Sequence, residues 1–197
     1  MRTDEALSIL RDKGVRESDL LEAVRYLKGK SVPDDILEDI VRIYSGSKNI
    51  ELRYRIIKLL YDRKDGILKD MFMAAFKRER YLDMRICAIR GLANFLPEPE
   101  ISKMMLKLIE ILKKRKETTP YNYQEYEMLK GKNAIPFLVA KYGYASFREF
   151  NEVLNAQYEE MPDCFKNVFA VDEYGEAKVL RNDDAIDRFF ENQRKNG

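Results

Sequence analysis

The sequence predicts an all-α protein: a short array of stacked antiparallel helix pairs, followed by an irregular C-terminal region with room for a small β-hairpin. Three observations lead there. The stretch IELRYRIIKLLYD, starting at Ile50, is echoed by LDMRICAIRGLANFL, starting at Leu82, at a shift of 32 residues. That shift places Glu51 on Asp83, Arg53 on Arg85, Ile56 on Ala88, Ile57 on Ile89 and Leu60 on Leu92. The helices before these two recur at the same shift, with Ile36, Ile40, Val41 and Tyr44 falling on Leu68, Phe72, Met73 and Phe76. Two helices repeating at one fixed period mark an array whose members bury their apolar stripes on their neighbours.

Capping and breaking residues mark out the helices in order. Thr3 is expected to cap a first helix that Gly14 ends, and Ser18 a second that Gly29 stops. Pro33 suits the first turn of a third helix, and Asp34 and Asp35 favour its positive end. Asn49 caps the fourth helix, which is expected to run to about Arg63. Asp65-Gly66 turns into the fifth, over about Ile67 to Arg80, and the sixth is the stretch from Leu82 to Leu96. Pro97 and Pro99 break the chain, since proline cannot continue a helix interior. A long amphipathic seventh helix follows from about Glu100 to Glu117, lined by Ile101, Met105, Leu108 and Leu112. It ends in the run Lys113-Lys114-Arg115-Lys116, whose cations complement the helix dipole. Beyond Thr118 the period is lost. A short helix is expected near Tyr123, another over Asn133 to Tyr142, and a third capped by Ser146 and ended by Pro162. Cys164 to Leu180 reads as two short apolar runs about a turn at Asp172-Glu173-Tyr174-Gly175, a hairpin or an ordered loop. A last helix is expected through Ile186, Phe189 and Phe190.

The chain thus divides into a helical array over 1–117, an irregular helical extension over 118–162 that packs on the array, and an acidic segment over 163–197. Its 197 residues include 45% hydrophobic residues, which argues against disorder. Residues 117–197 hold 10 Lys/Arg and 15 Asp/Glu, leaving 26 and 19 for residues 1–116, so a basic front precedes an acidic back. The acidic N-terminus and the lack of a long apolar run read as a cytoplasmic protein without a membrane span. Cys87, set among Ile86, Ala88 and Ile89, reads as a small core hydrophobe, and two cysteines make no disulfide framework.

The chemistry-bearing residues are sparse. The chain has no histidine, which removes Ser-His and Cys-His nucleophilic sites and every His-containing metal site. Neither phosphate-cradling glycine motif occurs. The acid pairs Asp34-Asp35, Glu159-Glu160 and Asp183-Asp184 are ordinary on or before helices. No catalytic residue, metal site or cofactor is expected.

The acid, Arg, small residue and Leu at Asp83, Arg85, Ala88 and Leu92, matched more loosely by Glu51, Arg53, Ile56 and Leu60, resemble the second helix of HEAT-like (armadillo-type) repeats. The resemblance covers residues 33–117 well and 3–29 poorly. It implies a short right-handed α-solenoid serving as a binding scaffold, with second helices lining the inner curve. By that resemblance Arg55, Lys58 and Asp62 line the inner surface from one repeat, and Arg90 and Asn94 from the next. Arg53 and Arg85 belong to the same face, with inter-repeat ion pairs as their alternative role. The tyrosines Tyr121, Tyr123 and Tyr126 add an irregular contact segment, or else pack at the edge of the stack. The leading expectation is a non-catalytic, monomeric scaffold that binds another protein. The alternatives are a bacterial immunity protein that occludes one toxin, and a nucleic-acid binder related to HEAT-like alkylpurine DNA glycosylases. The last is disfavoured, since the chain has no tryptophan and many of its basic residues have an acid one helical turn away.

Overall fold

The computed structural model describes residues 1–115, 120–180, 187, 191–192 and 194–195. The chain is mostly helical, with one two-stranded antiparallel sheet. It divides into two compact units, Met1–Ile101 and Ser102–Gly197.

The first unit holds α1 (Thr3–Arg11), α2 (Glu17–Leu27), α3 (Leu37–Gly46), α4 (Ile50–Leu60), α5 (Ile67–Arg78) and α6 (Leu82–Leu92). Consecutive helices pair, α1 on α2, α3 on α4 and, most extensively, α5 on α6. The odd-numbered helices neighbour one another in chain order, and so do the even-numbered ones. The buried positions recur with the pairs. Ala23, Val24 and Leu27 of α2 correspond to Ile56, Ile57 and Leu60 of α4, and these to Ala88, Ile89 and Leu92 of α6; all are buried. In the other layer Leu7, Ile40 and Phe72 correspond, as do Leu10, Ile43 and Ala75, and these too are buried. The pair α1–α2, which resembled its successors poorly in sequence, therefore follows the same burial pattern. α6 is buried on every side, with only Arg85 half-buried among its residues. At Gly91 an added Cβ would lie 2.6 Å from the ring carbons of Phe72, so the glycine is what lets α6 meet α5.

α7 (Glu98–Lys113) opens with Pro97 just before it and Pro99 in its first turn. The expected break there is a helix start, because a first-turn proline lacks only an N–H that has no partner anyway. The second unit continues with α8 (Pro120–Lys130), α9 (Ile135–Tyr142), α10 (Ala145–Glu159), β1 (Phe169–Val171) and β2 (Ala177–Val179). Its core gathers Tyr123, Leu129, Phe147, Phe150, Leu154 and Phe165. The expected turn closes a hairpin. Phe169 pairs with Val179 and Val171 with Ala177, and Asp172 Oδ1 accepts from the N–H groups of Tyr174 and Glu176, both at 2.9 Å. Gly175 supplies the positive φ of 75° that the turn needs.

Several helix ends differ from expectation by a residue or a few. α1 starts at Thr3 itself, with Glu5 accepting from the Arg2 N–H at 3.1 Å. α2 starts at Glu17, one residue ahead of Ser18. α4, α5 and α6 stop at Leu60, Arg78 and Leu92, short of the expected ends. α7 ends at Lys113, and α8 begins three residues before Tyr123. α10 starts at Ala145, with Ser146 inside its first turn. Asn49 caps α4 as expected, its Oδ1 accepting from Leu52 N–H at 3.1 Å. Lys116 to Thr119, the Tyr121 side chain, Ile186, Phe189 and Phe190 lie outside the described residues.

Candidate functional site

The expected site residues of the first unit sit on α4, on α6 and on the turns that follow them. The repeated acid of the second helices reaches to the preceding second helix. Glu51 of α4 accepts from Arg25 of α2 at 2.5 Å and from Arg55, one turn along α4, at 2.9 Å. Partial burial pushes its carboxyl up, and the two guanidinium groups outweigh that and hold it below the usual carboxylate range. Asp83 of α6, at the equivalent position, is buried near the phenol of Tyr54 on α4, and its Oδ1 accepts from Met84 N–H at 2.9 Å. Burial, and then the charges of Asp83 and Cys87, hold that phenol far above its ordinary range.

The repeated arginine reaches back past the start of its own helix. Arg53 donates to the Ser47 carbonyl at 3.3 Å, and Arg85 to the Glu79 carbonyl at 2.5 Å. Ser47 and Glu79 are themselves 32 residues apart, so the two contacts are one contact repeated. Arg53 also makes a two-pronged bond to the Glu79 carboxylate, Nε to Oε1 at 2.7 Å and Nη2 to Oε2 at 2.9 Å. Glu79 is only 2% exposed. Tyr44 donates to it as well, at 2.8 Å, and Arg78 donates to the Tyr44, Ser45 and Ser47 carbonyls at the end of α3. Burial alone would raise the Glu79 carboxyl; the bonds from Arg53 and Tyr44 hold it below the usual range. The Tyr44 phenol moves the opposite way, upward, through burial and its bond to Glu79.

Further along, Arg90 bonds Asp62 through Nε at 2.9 Å and Nη2 at 2.6 Å, and its guanidinium lies 3.6 Å over the Tyr61 ring. Arg90 is 3% exposed, so it holds α6 to the end of α4 and offers little surface. Asn94 donates to the carbonyls of Tyr61 and Arg63 at 3.0 and 3.4 Å, closing the end of α4. The Lys58 ammonium lies 4.0 Å over the Tyr54 ring. Burial pushes the Cys87 thiol up to about 11, the opposite of what a nucleophilic thiol needs. The Asp62 side chain is 51% exposed and the Arg55 side chain 20%, with Lys58 half-buried between them along α4.

Tyr123 and Tyr126 are in the second unit. Tyr123 is fully buried, with the rings of Tyr158, Phe165 and Phe169 within 6.3 Å of its own. Its hydroxyl accepts from Val168 N–H at 3.0 Å and donates to Glu127 at 3.1 Å, and Glu127 also accepts from Tyr158 at 2.5 Å. Tyr126 is buried too, donating to Gln157 at 2.9 Å. Both rings pack in the core of the second unit.

Sequence reasoning missed Glu79, Ser47 and Arg78, which join α3, α4 and α5. The available signal was the polar pair Ser47 and Glu79, one period apart and just ahead of the two matched helices. Among the described residues no cluster of three or more His, Cys, Asp or Glu is placed to hold a metal ion, and no helix is long and apolar enough to cross a membrane. Comparison with family models, curated proteins and solved structures gives no match.

Proposed function

We propose that the chain is a non-catalytic helical-repeat scaffold, a short right-handed α-solenoid of HEAT-like type, and that the exposed side of α4 binds another protein. The observation that carries this reading is the recurrence of buried positions and of the acid and Arg contacts from one helix pair to the next. A stack built from repeated pairs has a large surface for its volume, and its common use is to display that surface to a partner. The charged side chains that reach solvent along α4 and just after it are Glu51, Arg55, Lys58 and Asp62, with the exposed Ile50 and the half-buried Tyr54 and Leu59 among them. Arg53, Arg85, Arg90 and Asn94 serve this reading as the bonds that hold the face in shape.

The test is Arg55→Glu with Lys58→Glu. Both side chains are half-buried on the solvent side of α4 and neither is in the core, so helicity by circular dichroism should match the parent chain. Tagged parent and variant are each used for capture from the host's lysate at moderate salt, with protein and nucleic acid quantified. A stoichiometric protein partner held by the parent and lost by the variant supports the reading. Equal retention by both removes α4 as the binding face, and nucleic acid alone in the eluate removes the protein-scaffold reading.

A further inference from the structure

The positive charge of the first 116 residues is concentrated in one place. Residues 1–101 carry 20 Lys/Arg and 18 Asp/Glu, whereas residues 102–116 carry 6 and 1. The excess therefore belongs to the later turns of α7 and the residues just after it. Some of these cations are engaged: Arg115 is bonded to the buried Glu125, and Lys113 to Glu149 at 3.1 Å. Lys103, Lys107 and Lys114 are exposed and make no ion pair among the described residues.

These three lysines fall at i, i+4 and i+11, with Glu110 at i+7, which sets all four on one line along the helix. Lys114 keeps to that line, because its N–H still donates to the Glu110 carbonyl at 3.3 Å. At 1.5 Å per residue the line is about 16 Å long. Leu106 and Ile111 flank it, one on each side, 47% and 41% exposed. The opposite side of α7 is fully engaged, with Ile101, Met105, Leu108 and Leu112 buried.

We propose that this outer face of α7 docks an acidic amphipathic helix of another protein. Three features choose that occupant. Two exposed aliphatic side chains beside a row of ammonium groups match a helix that carries carboxylates along one line and apolar residues next to them. Glu110 interrupts the row, so a continuous track of phosphates would meet a like charge there, whereas a protein helix can set a cation opposite it. The apolar stripe of α7 is already buried, so only Leu106 and Ile111 are left to meet a lipid surface, less than the continuous apolar face of an interfacial helix. None of these residues is on α4, and the proposal does not rest on the α4 reading.

The test uses a fluorescein-labelled, alanine-rich helical peptide of about 18 residues. It carries Glu opposite the three lysines, Lys opposite Glu110 and Leu at the flanking positions, and anisotropy is read on the full chain. Two further probes are a single-stranded oligonucleotide and vesicles containing anionic phospholipid. The parent chain should bind the peptide more tightly than either polyanion. Lys103→Glu with Lys107→Glu and Lys114→Glu should weaken that binding at least about tenfold at moderate salt and favour a charge-reversed peptide. Leu106→Ser with Ile111→Ser should weaken it with the charge unchanged, and Arg55→Glu with Lys58→Glu should leave it alone. Failure of the peptide to bind, equal binding by parent and triple variant, or tighter binding of the oligonucleotide or vesicles would each overturn the proposal.

Discussion

Glu79 shows how much one side chain can hold. Its two oxygens take bonds from Arg53 and Tyr44, and its main-chain carbonyl takes one from Arg85. Removing one partner of such a buried pair leaves the other charge without compensation, at a cost of about 3–5 kcal/mol. Glu79→Gln should therefore lower the urea midpoint strongly at neutral pH. The folded carboxyl titrates below its unfolded value. Its contribution is thus complete above the unfolded range near 4.3 and is lost as pH falls through the folded value. The gap between parent and Glu79→Gln should narrow when the two are compared at pH 7 and at about pH 3; a constant gap would show that the charge is not what matters. At this scale the sequence was legible only in part. The acid and Arg of the second helices were visible because they repeat. Glu79 was not, since a bond across 26 residues leaves no local pattern. Tyr123 and Tyr126 were ambiguous for another reason: a phenol suits a wet edge and a satisfied core equally well.

At the scale of the element, the legible features were those that act within a turn or two. Asn49 capped its helix, Gly143 closed α9 in the left-handed conformation, and Asp172 with Gly175 turned the hairpin. The starts that were misplaced at Thr3, Ser18, Pro99 and Ser146 lie in first turns, where several residues satisfy the same free N–H groups, and α4, α5 and α6 stop short because helix ends fray. What no local signal shows is how closely two elements approach. α5 and α6 meet at Gly91 against the fully buried Phe72. Gly91→Ala gains roughly 1 kcal/mol of helix propensity, but the new methyl must displace a ring that has nowhere to go, at about 1–3 kcal/mol. The substitution should lower the thermal midpoint. A raised midpoint would mean that α6 shifts to make room.

For the molecule as a whole, the period of 32 or 33 residues was enough to foresee which helices are neighbours, because each stripe must be covered by the next pair. It could not foresee that α6 would be buried all round, since a repeated stripe defines only one face of a helix. Nor could the charge count show which lysines of α7 stay outside ion pairs, because that depends on which of them find carboxylates in the folded chain. The burial pattern makes a prediction at this scale. Hydrogen exchange should be slowest in α6 and appreciably faster in α1 and α2, whose side-chain links to later residues include the exposed pairs Arg11–Asp35 and Arg25–Glu51. Uniform protection across the first unit would refute it.

The bond from Arg53 to Glu79 has a direction, and direction has consequences for how the first unit comes apart. The pair α3–α4 borrows its acceptor from the end of α5, and the carbonyls that finish α3 are closed by Arg78 of the same helix. If α5 left first, Arg53 would lose its carboxylate partner and the end of α3 would lose the three bonds from Arg78. The departure of α1 and α2 takes away the Glu17 bond to Ser47 and surface pairs, and strands no comparable charge. The unit should therefore open like a zipper with a stop at one end: it peels from the N-terminus and resists from the other side. On a ribosome, the first four helices would emerge ahead of the residue that completes them.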